Sequence, residues 1–445
     1  MKREIRLTQM AIWSVFSVAL IVSFAVSGLG QNGAKSKKFL TKPLLIEDQG
    51  SFFIGGVPKV TNYATVPPAN AQNQTLAPNQ ITIGQMYVQF QIPARRKPGS
   101  VPVIMVHGST HTAACLESTP DGREGWAPYF VRNGISTYIV DQAGRGRSGF
   151  DESVIHEAAA MIRSGDVQKG TAQLPSFGRI TDNGAWTAWF GHLMPAGSNI
   201  LTGKLLRHGD PGDPPTDDAA HKDTYFPAYP LSVDPAIASR TAAISAAPAG
   251  PNNYYALDYY KQLVPNAEVT LPGSTCATCE PVNISSANTW TPQDLALLVE
   301  KLGGAIVATH SQSGIMGHHM ARILKERGHL DLLKGLITIE GGCSLPNSGL
   351  KAEDFDNIPY MAMKGDYTAT SEQCQTTVDA INARRAAGHG IAKAEYIKLD
   401  ELGPVFNGTT HMMMLGTNNL EIADVILKWA DDNIPPKPKN GKNKK

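Results

Sequence analysis

The sequence predicts an α/β protein in which a mostly parallel sheet is flanked by helices and carries a large cap or lid insertion. Short apolar runs that end in Gly or a polar residue are typical of buried parallel strands. Helical patterns separate these runs, which favours a parallel sheet with helices on both faces. From about residue 150 to residue 289 the alternation stops, over a length too great for a plain loop.

Three apolar or alternating runs before the insertion predict strands. A polar, Pro-containing approach at 31–80 leads into QITIGQMYVQFQIP (80–93), whose β-branched and aromatic alternation favours a strand. VPVIMVHG (101–108) and ISTYIVD (135–141) predict the next two strands. The segment from Trp126 to Asn133 is predicted to be the helix between them.

After the insertion the alternation resumes at TPQDLALLVEKLG (291–303), a predicted helix. Thr291 is the expected N-cap of this helix, and Gly303 is expected to end it. The elements predicted beyond it are a strand at 305–309, a helix at 314–328, strands at 333–342, 358–366 and 394–400, and a helix at 418–432.

The insertion is expected to be a packed cap rather than a disordered linker. A breaker run, HGDPGDPPTDD (208–218), indicates turns, but aromatic residues are typical of packed structure. They include Trp186, Trp189, Phe190, Tyr254, Tyr255, Tyr259 and Tyr260. The expected organisation is a signal peptide at 1–30, a first core part at 45–150, the cap at 151–289, a second core part at 290–434 and a basic tail at 435–445.

Composition excludes some classes of protein. The chain has 445 residues, with 40 Lys and Arg against 39 Asp and Glu. This near-neutral balance removes the electrostatic case for a nucleic-acid partner. Hydrophobic residues make up 42%, which rules out global disorder.

The amino terminus has the pattern of a secretory signal peptide. Lys2, Arg3 and Arg6 precede an uncharged, apolar stretch at 10–30 that ends in small residues. The alternative is an uncleaved membrane anchor, since the apolar run is nearly long enough to span a bilayer. Export is favoured, and we expect a secreted or periplasmic bacterial protein.

Five cysteines remain in the chain: Cys115, Cys276, Cys279, Cys343 and Cys374. Pairing is expected in an oxidising compartment, with one cysteine left over and the connectivity open. The CATC segment favours a local disulfide over a redox motif because it lies in a Pro/Ser/Thr-rich loop. A zinc site is not favoured, because no second ligand pair accompanies it.

The strongest local signal is ATHSQSG (308–314), an apolar strand that enters a helix through a tight turn containing Ser. A nucleophile elbow has this arrangement, with small residues two before and two after the serine. Here Thr309 and Ser313 take the places of the usual two glycines. Ser311 is the predicted nucleophile because it directly follows the strand and His310, and Ser313 is the rival in a shifted register.

A serine hydroxyl needs a base, and in this architecture the chain order is serine, acid, histidine. His411 lies in the loop between the last predicted strand and the final helix, which makes it the expected base. His318 and His319 lie inside a helix and are expected to pack or face solvent. For the acid, Asp366 has the usual position after a later strand, while Glu340 has an exposed strand-end setting; both remain open on this pattern.

The chain resembles the α/β-hydrolase fold and, within it, a branch of bacterial secreted serine esterases. The resemblance covers most of the chain outside the signal, the insertion and the tail. The segment STHTAAC (109–115) has no match. The matching stretches are SFFIGG (51–56), VHG (106–108), ESTPDGREGWAPYF (117–130), VDQAGRGRSGFD (140–151), THSQSG (309–314), IEGG (339–342) and THMMML (410–415).

In that branch the triad acid is a Glu at the end of the sixth strand, so the resemblance implies Glu340, with Asp366 as the alternative acid. The elbow also predicts an oxyanion hole. Its expected donors are the backbone N–H groups of Ser109 and Gln312. Arg145 and Arg147 are expected to form structural ion pairs rather than to bind an acidic substrate.

We therefore expect an exported serine hydrolase that cleaves a carboxylic ester of a small molecule through an acyl-enzyme. Its triad would be Ser311, His411 and Glu340, and neither a metal nor an organic cofactor is expected. A membrane partner is expected only if the signal segment is uncleaved, and the oligomeric state, a homodimer included, is open. The alternatives are an amidase or acyltransferase on the same triad, and a catalytically silent binding protein with this fold.

Overall fold

The computed structural model describes residues 39–40, 42–65, 77–174, 178–194, 204–207, 258–265, 281–282, 286–288, 290–365 and 372–435. The chain divides into two units, Met1–Thr41 and Lys42–Lys445, and the fold given below is that of the second. Within the described ranges no helix is long and apolar enough to cross a membrane. The predicted signal peptide and basic tail lie outside the described residues.

The described residues form twelve strands, of which eight make up the main sheet, and most of those eight are parallel, as predicted. The strands are β1 (Ile46–Thr61), β2 (Asn79–Pro93), β3 (Val103–Val106), β4 (Thr137–Asp141), β5 (Gly191–Met194), β6 (Lys204–Arg207), β7 (Pro281–Val282), β8 (Ser286–Asn288), β9 (Ala305–His310), β10 (Leu333–Ile339), β11 (Tyr360–Lys364) and β12 (Ala394–Lys398). The order in the main sheet is β1-β2-β4-β3-β9-β10-β11-β12. The pairs β1–β2 and β2–β4 are antiparallel, and every later pair is parallel.

Helices cover both faces of this sheet. The described helices are α1 (Ala114–Glu117), α2 (Trp126–Arg132), α3 (Ser153–Arg163), α4 (Val167–Gln173), α5 (Asp182–Trp189), α6 (Thr291–Leu302), α7 (Ser313–Glu326), α8 (Glu372–Ala386) and α9 (Asn419–Asn433). One buried cluster packs α2 and α9 against the sheet, and a second packs α6, α7 and α8 against it.

Alternate side chains of the central strands point to opposite faces of the sheet, so each strand contributes to both buried clusters. In β3, Val103 and Met105 belong to the cluster with α2 and α9, whereas Ile104 and Val106 belong to the other cluster. Successive side chains of a strand point to opposite faces, so a strand covered on both sides is apolar at every position. This explains why the predicted strands appear as continuous apolar runs.

Among the longer elements outside the insertion, β1 and α8 were not predicted. The expected polar approach at 31–80 contains β1, a 16-residue strand that pairs with β2 at the edge of the sheet. Its sequence includes charged residues and Pro58, which an edge strand tolerates because one side faces solvent. Helix α8 is strongly polar and buries only a few apolar side chains, among them Cys374, Val378 and Ile381, which make a weak signal for a helix.

The start of α6 differs from the prediction by one residue. Thr291 is the first helical residue rather than the N-cap, which is Trp290. The Thr291 hydroxyl instead accepts a hydrogen bond from the backbone N–H of Ala143 at 3.1 Å, so it links the helix to the loop after β4. Gly303 ends the helix as predicted, in the left-handed conformation.

The described part of the insertion contains α3, α4, α5 and the two small strand pairs β5–β6 and β7–β8, none of which joins the main sheet. Trp186, Phe190, Tyr259 and Tyr260 are buried and pack in the same cluster as α2 and α9. These four side chains of the insertion therefore pack against the core. Tyr254 and Tyr255 lie outside the described residues.

One disulfide joins Cys343, three residues after Glu340, to Cys374 in α8. Cys115 is a buried free thiol, and burial raises its pKa far above the ordinary value, so it is an unreactive core residue. Cys276 and Cys279, the expected local pair, lie outside the described residues.

Candidate active site

Three non-glycine residues of the described chain have positive φ: Thr110 at 57°, Ser311 at 54° and Glu340 at 44°. They follow β3, β9 and β10, three neighbouring strands whose carboxyl ends lie at one edge of the sheet. Side chains make this conformation unfavourable, and such residues concentrate at functional sites. Two of the three are the predicted nucleophile and the predicted acid.

The turn at Ser311 has the geometry of a strand-to-helix elbow. The Ser311 N–H donates to the carbonyl of Ile339 at 2.9 Å, and its own carbonyl accepts from Gly314 N–H at 2.9 Å. Ser313 has a different environment: its buried hydroxyl lies 3.1 Å from the carbonyl oxygen of Val106 and accepts from the His310 N–H at 2.9 Å. The hydroxyl group that replaces the second glycine is therefore used to fix the turn.

Glycines allow the neighbouring loops to approach this turn. A Cβ atom on Gly108 would lie 2.9 Å from Ser311 Cβ, and one on Gly341 would lie 2.7 Å from the Ser311 carbonyl oxygen. Both distances are shorter than real Cβ contacts, so a side chain at either position would displace the elbow. Steric crowding at the Ser311 turn therefore explains why the VHG and IEGG segments have glycine at these two positions.

Glu340 and His411 are 71 positions apart in sequence and are hydrogen-bonded, with 2.5 Å between Glu340 Oε2 and His411 Nδ1. Oε1 of Glu340 accepts from the Gly365 N–H at 2.7 Å. The Glu340 side chain is completely buried, so the exposed setting expected from the sequence is wrong. Asp366, the alternative acid, lies outside the described residues.

The partners of His411 define its tautomer. A carboxylate only accepts, so Nδ1 of His411 carries a proton, and in the neutral imidazole Nε2 then has the lone pair. The His411 carbonyl accepts from Nε2–H of His310 at 2.9 Å, and the two ring centroids are 4.7 Å apart. Burial and the proximity of His411 hold the pKa of His310 well below its ordinary value, so His310 is a neutral donor.

Ser311 is partly exposed beside this pair. Among the described residues its hydroxyl makes no hydrogen bond to His411. Hydrogen bonds of this kind are often long before a substrate is bound and shorten in the complex.

Two known proteins are similar to this chain over most of its length. A bacterial esterase of known structure aligns with a TM-score of 0.62 at 28% identity, over 89% of this chain and 99% of the esterase. A probable secreted lipase, phiG, of Fungal sp. (strain ATCC 74256) is 25% identical over an alignment of 392 positions, and this alignment covers 77% of this chain and 85% of the lipase. No protein-family model matches.

The chain has the α/β-hydrolase fold. The sheet order, the helices on both faces and the structural match to an esterase agree on this point, so the fold predicted from the sequence is confirmed. The resemblance to bacterial esterases is confirmed with it.

The loop after β3 of this α/β hydrolase is attached to the cap. His111 Nδ1–H donates to the Ser109 carbonyl at 2.6 Å, and the Tyr259 hydroxyl donates to His111 Nε2 at 2.9 Å. The Thr110 carbonyl accepts from Val264 N–H at 2.8 Å. Burial lowers the pKa of His111 to about 3, so the imidazole is neutral and keeps one donor and one acceptor nitrogen.

A tryptophan of the cap, Trp189, contacts the rings of both His411 and His111. The ring of Trp189 stacks on His411 with centroids 5.8 Å apart and an interplanar angle of 29°. Its centroid is 5.3 Å from that of His111. Trp189 was predicted only as a packed aromatic residue of the cap, and its place beside the site required the tertiary structure.

The two arginines after β4 have different partners. Arg147 forms the expected ion pairs, with Nε 2.8 Å from Asp141 Oδ2 and Nη1 3.3 Å from Glu117 Oε1. Arg145 is buried and donates to the Gly108 carbonyl at 3.0 Å and to Gln312 Oε1 at 2.5 Å. Its two contacts lie on the segments that carry the predicted oxyanion donors.

His318 and His319 are buried within α7, which agrees with the expected packing role. In the described ranges no group of three His, Cys, Asp or Glu side chains could hold a metal ion. The described residues bring a partly exposed serine and a hydrogen-bonded histidine–carboxylate pair to one edge of the sheet, which is a set suited to acyl transfer.

Proposed function

We propose that this protein is an exported serine hydrolase that cleaves a carboxylic ester through an acyl-enzyme, with a triad of Ser311, His411 and Glu340. The observation that carries the proposal is the 2.5 Å contact between His411 and the buried Glu340 carboxylate, next to a serine at a positive-φ elbow. Both similar proteins support the substrate class, since one is named an esterase and the other a lipase.

The mechanism follows from the tautomer of His411. Nε2 takes the proton of the Ser311 hydroxyl as its oxygen attacks the ester carbonyl, and Glu340 stabilises the imidazolium that forms. The backbone N–H groups of Ser109 and Gln312 would hold the oxyanion, each contributing about 3 kcal/mol. His411 then protonates the leaving alcohol, and water releases the acyl group by the same steps in reverse.

Geometry supports Ser311 over its rival as the nucleophile. The Ser313 hydroxyl is buried and hydrogen-bonded to the backbone, whereas Ser311 is partly exposed at the turn. Glu340 is supported over Asp366 by its contact with His411.

The substrate is proposed to be a small molecule whose ester lies against an apolar wall formed by the cap at 151–289. Trp189 contacts the His411 ring, so an acyl or alcohol group next to the reacting carbonyl would contact its indole. Export to the periplasm or the medium rests on the amino-terminal pattern, on the disulfide and on the name of the fungal relative.

Hydrolysis of p-nitrophenyl esters of graded chain length tests the proposal. Ser311→Ala should lose at least about 1,000-fold in kcat, because the nucleophile is gone, while Ser313→Ala should retain turnover. Glu340→Gln should lose about 1,000- to 10,000-fold, because the amide favours the wrong tautomer of His411.

Asp366→Asn is the matched control for the acid, and we expect it to remain active. Circular dichroism and thermal unfolding of each variant separate loss of chemistry from loss of fold. An inactive Asp366→Asn beside an active Glu340→Gln would contradict the triad. A wild type that is inert on every ester would contradict ester hydrolysis and direct the test to amides, acyl transfer or simple binding.

A further inference from the structure

Arg145 connects two segments that are far apart in sequence and adjacent at the proposed oxyanion hole. Its side chain is buried, and its Nη1 and Nη2 atoms donate to the Gly108 carbonyl and to the Gln312 side chain. These acceptors are 37 and 167 positions away in the sequence. Each acceptor belongs to the peptide or residue that supplies one oxyanion donor.

The contact with Gly108 orients the first donor. A trans peptide is planar, so the Gly108 carbonyl and the Ser109 N–H point in opposite directions from one rigid plane. The carbonyl accepts from Arg145 at 3.0 Å and from Nδ1–H of His107 at 2.8 Å. Two donors on one carbonyl fix the plane and polarise the amide, which strengthens the N–H on its other side.

The contact with Gln312 holds the second donor. Gln312 immediately follows Ser311 and is the N-cap residue of α7, so its N–H is one of the amides that a helix leaves without an internal acceptor. Its side-chain Oε1 lies 2.5 Å from Arg145 Nη2. This bond ties the Gln312 side chain to Arg145 and so restrains the residue that carries the second donor.

Only an arginine can make both contacts from one rigid group. The guanidinium is planar and presents several N–H donors in a fixed fork, whereas a lysine is a single flexible point charge. Both contacts use the two terminal nitrogens, so the distance between the two loops is set by the width of the guanidinium.

We propose that Arg145 is a positioning residue that aligns the Ser109 and Gln312 amides of the oxyanion hole. The inference rests on the proposed function. Arg145 does not touch the reacting atoms; it acts by holding the two loops in register, and the oxyanion forms only in the transition state. Its loss should therefore lower kcat and leave KM nearly unchanged.

The test compares Arg145→Lys with Arg147→Lys, the neighbouring arginine whose ion pairs lie outside the site. For p-nitrophenyl ester hydrolysis we expect the kcat of Arg145→Lys to fall about 10- to 100-fold, with KM within about threefold of the wild type. The reason is that small misplacements of catalytic groups lower the rate of the chemical step by factors of this size. The inhibition constant for phenylboronic acid, which forms a tetrahedral adduct on the serine, should rise by a similar factor. Arg147→Lys should retain kcat and inhibitor affinity.

Gln312→Ala is the second variant, because it keeps the backbone N–H and removes only the contact to Arg145. We expect a smaller fall in kcat than in Arg145→Lys, and less than a multiplicative loss in the double variant, since both changes act through one contact. If Arg145→Lys fails to fold, Gln312→Ala still decides the question.

Unchanged kcat and unchanged affinity for phenylboronic acid in a folded Arg145→Lys variant would overturn the inference. If that variant does not fold, the same result in Gln312→Ala would overturn it. So would a change in KM with constant kcat. An active wild type in that experiment leaves the proposed function standing, whereas an inert wild type would overturn both.

Discussion

Thr110, Ser311 and Glu340 each adopt a backbone conformation that costs a non-glycine residue of the order of 1 to 3 kcal/mol. Each one is held by long-range contacts, such as the bond of Glu340 to Gly365 and that of Thr110 to Val264. The elbow motif identifies Ser311, and the resemblance identifies Glu340. Nothing in the local sequence identifies Thr110, because its restraint comes from the cap.

The buried His318 gives a prediction about pH at the residue scale. Its Nδ1–H donates to Gly314 at 2.8 Å, the Tyr360 hydroxyl lies 3.2 Å from Nε2, and burial lowers its pKa from 6.5 to about 4. Between these values the unfolded chain binds more protons than the folded one, so stability should fall as the pH falls from 6.5 towards 4.

One histidine contributes up to about 1.4 kcal/mol per pH unit in this window. His318→Gln should therefore make the slope of unfolding free energy against pH shallower by up to that amount, measured by urea unfolding from pH 4.5 to pH 7. Tyr360→Phe, which keeps the imidazole buried, should retain the slope. Equal slopes for wild type and His318→Gln would show that this histidine does not couple folding to pH.

At the scale of elements, the cap is joined to the core through a hydrogen-bonded loop as well as through apolar packing. The segment at 258–265 contacts the loop after β3 at His111 and Thr110, while α5 places Trp189 beside the site. The cap therefore contacts the loop that carries a proposed oxyanion donor. Movement of the cap would therefore displace the loop after β3, and movement of that loop would displace the cap.

Tyr259→Phe tests this connection. It removes the donor to His111 Nε2 and leaves a buried acceptor unsatisfied, a cost of about 1 to 3 kcal/mol. We expect kcat/KM for p-nitrophenyl esters to fall about 3- to 10-fold as the loop loosens. Tyr260→Phe is the matched control, because the buried Tyr260 hydroxyl has no hydrogen-bond partner in the described part of the structure. Equal activity of the two variants would refute the connection.

At the scale of the whole molecule, the disulfide between Cys343 and Cys374 makes the stability of the fold depend on whether the protein is in an oxidising compartment. It joins the segment after Glu340 to α8 and closes a separation of 31 residues. Such bonds persist in oxidising compartments, which agrees with the proposed export.

The double variant Cys343→Ser and Cys374→Ser should lose about 3 to 4 kcal/mol of unfolding free energy, from the entropy of the opened loop. Urea unfolding of the variant and of oxidised wild type measures the difference. Wild type produced under reducing conditions should resemble the variant. A variant as stable as the oxidised protein would mean that the bond does not stabilise the fold.

The sequence by itself determined the elements whose signals are local. Apolar runs that end in Gly or a polar residue predicted β3, β4 and β9 to β11, because strands covered on both faces are apolar at nearly every position. The Ser311 elbow was identified for the same reason, since a strand, a tight turn and a helix are contiguous in the chain. Edge strand β1 and the polar helix α8 have weaker patterns because less of their surface is buried.

Only the tertiary structure decided which distant groups meet. The contact of Glu340 with His411 spans 71 positions, and that of Arg145 with Gln312 spans 167. The resemblance chose Glu340 between two carboxylates, but only the tertiary structure showed its burial and its bond to Gly365. The contacts of Arg145 with Gly108 and Gln312 were not predicted, since the sequence reports a charge and not its neighbours. Such contacts depend on how the chain packs, and no local pattern encodes them.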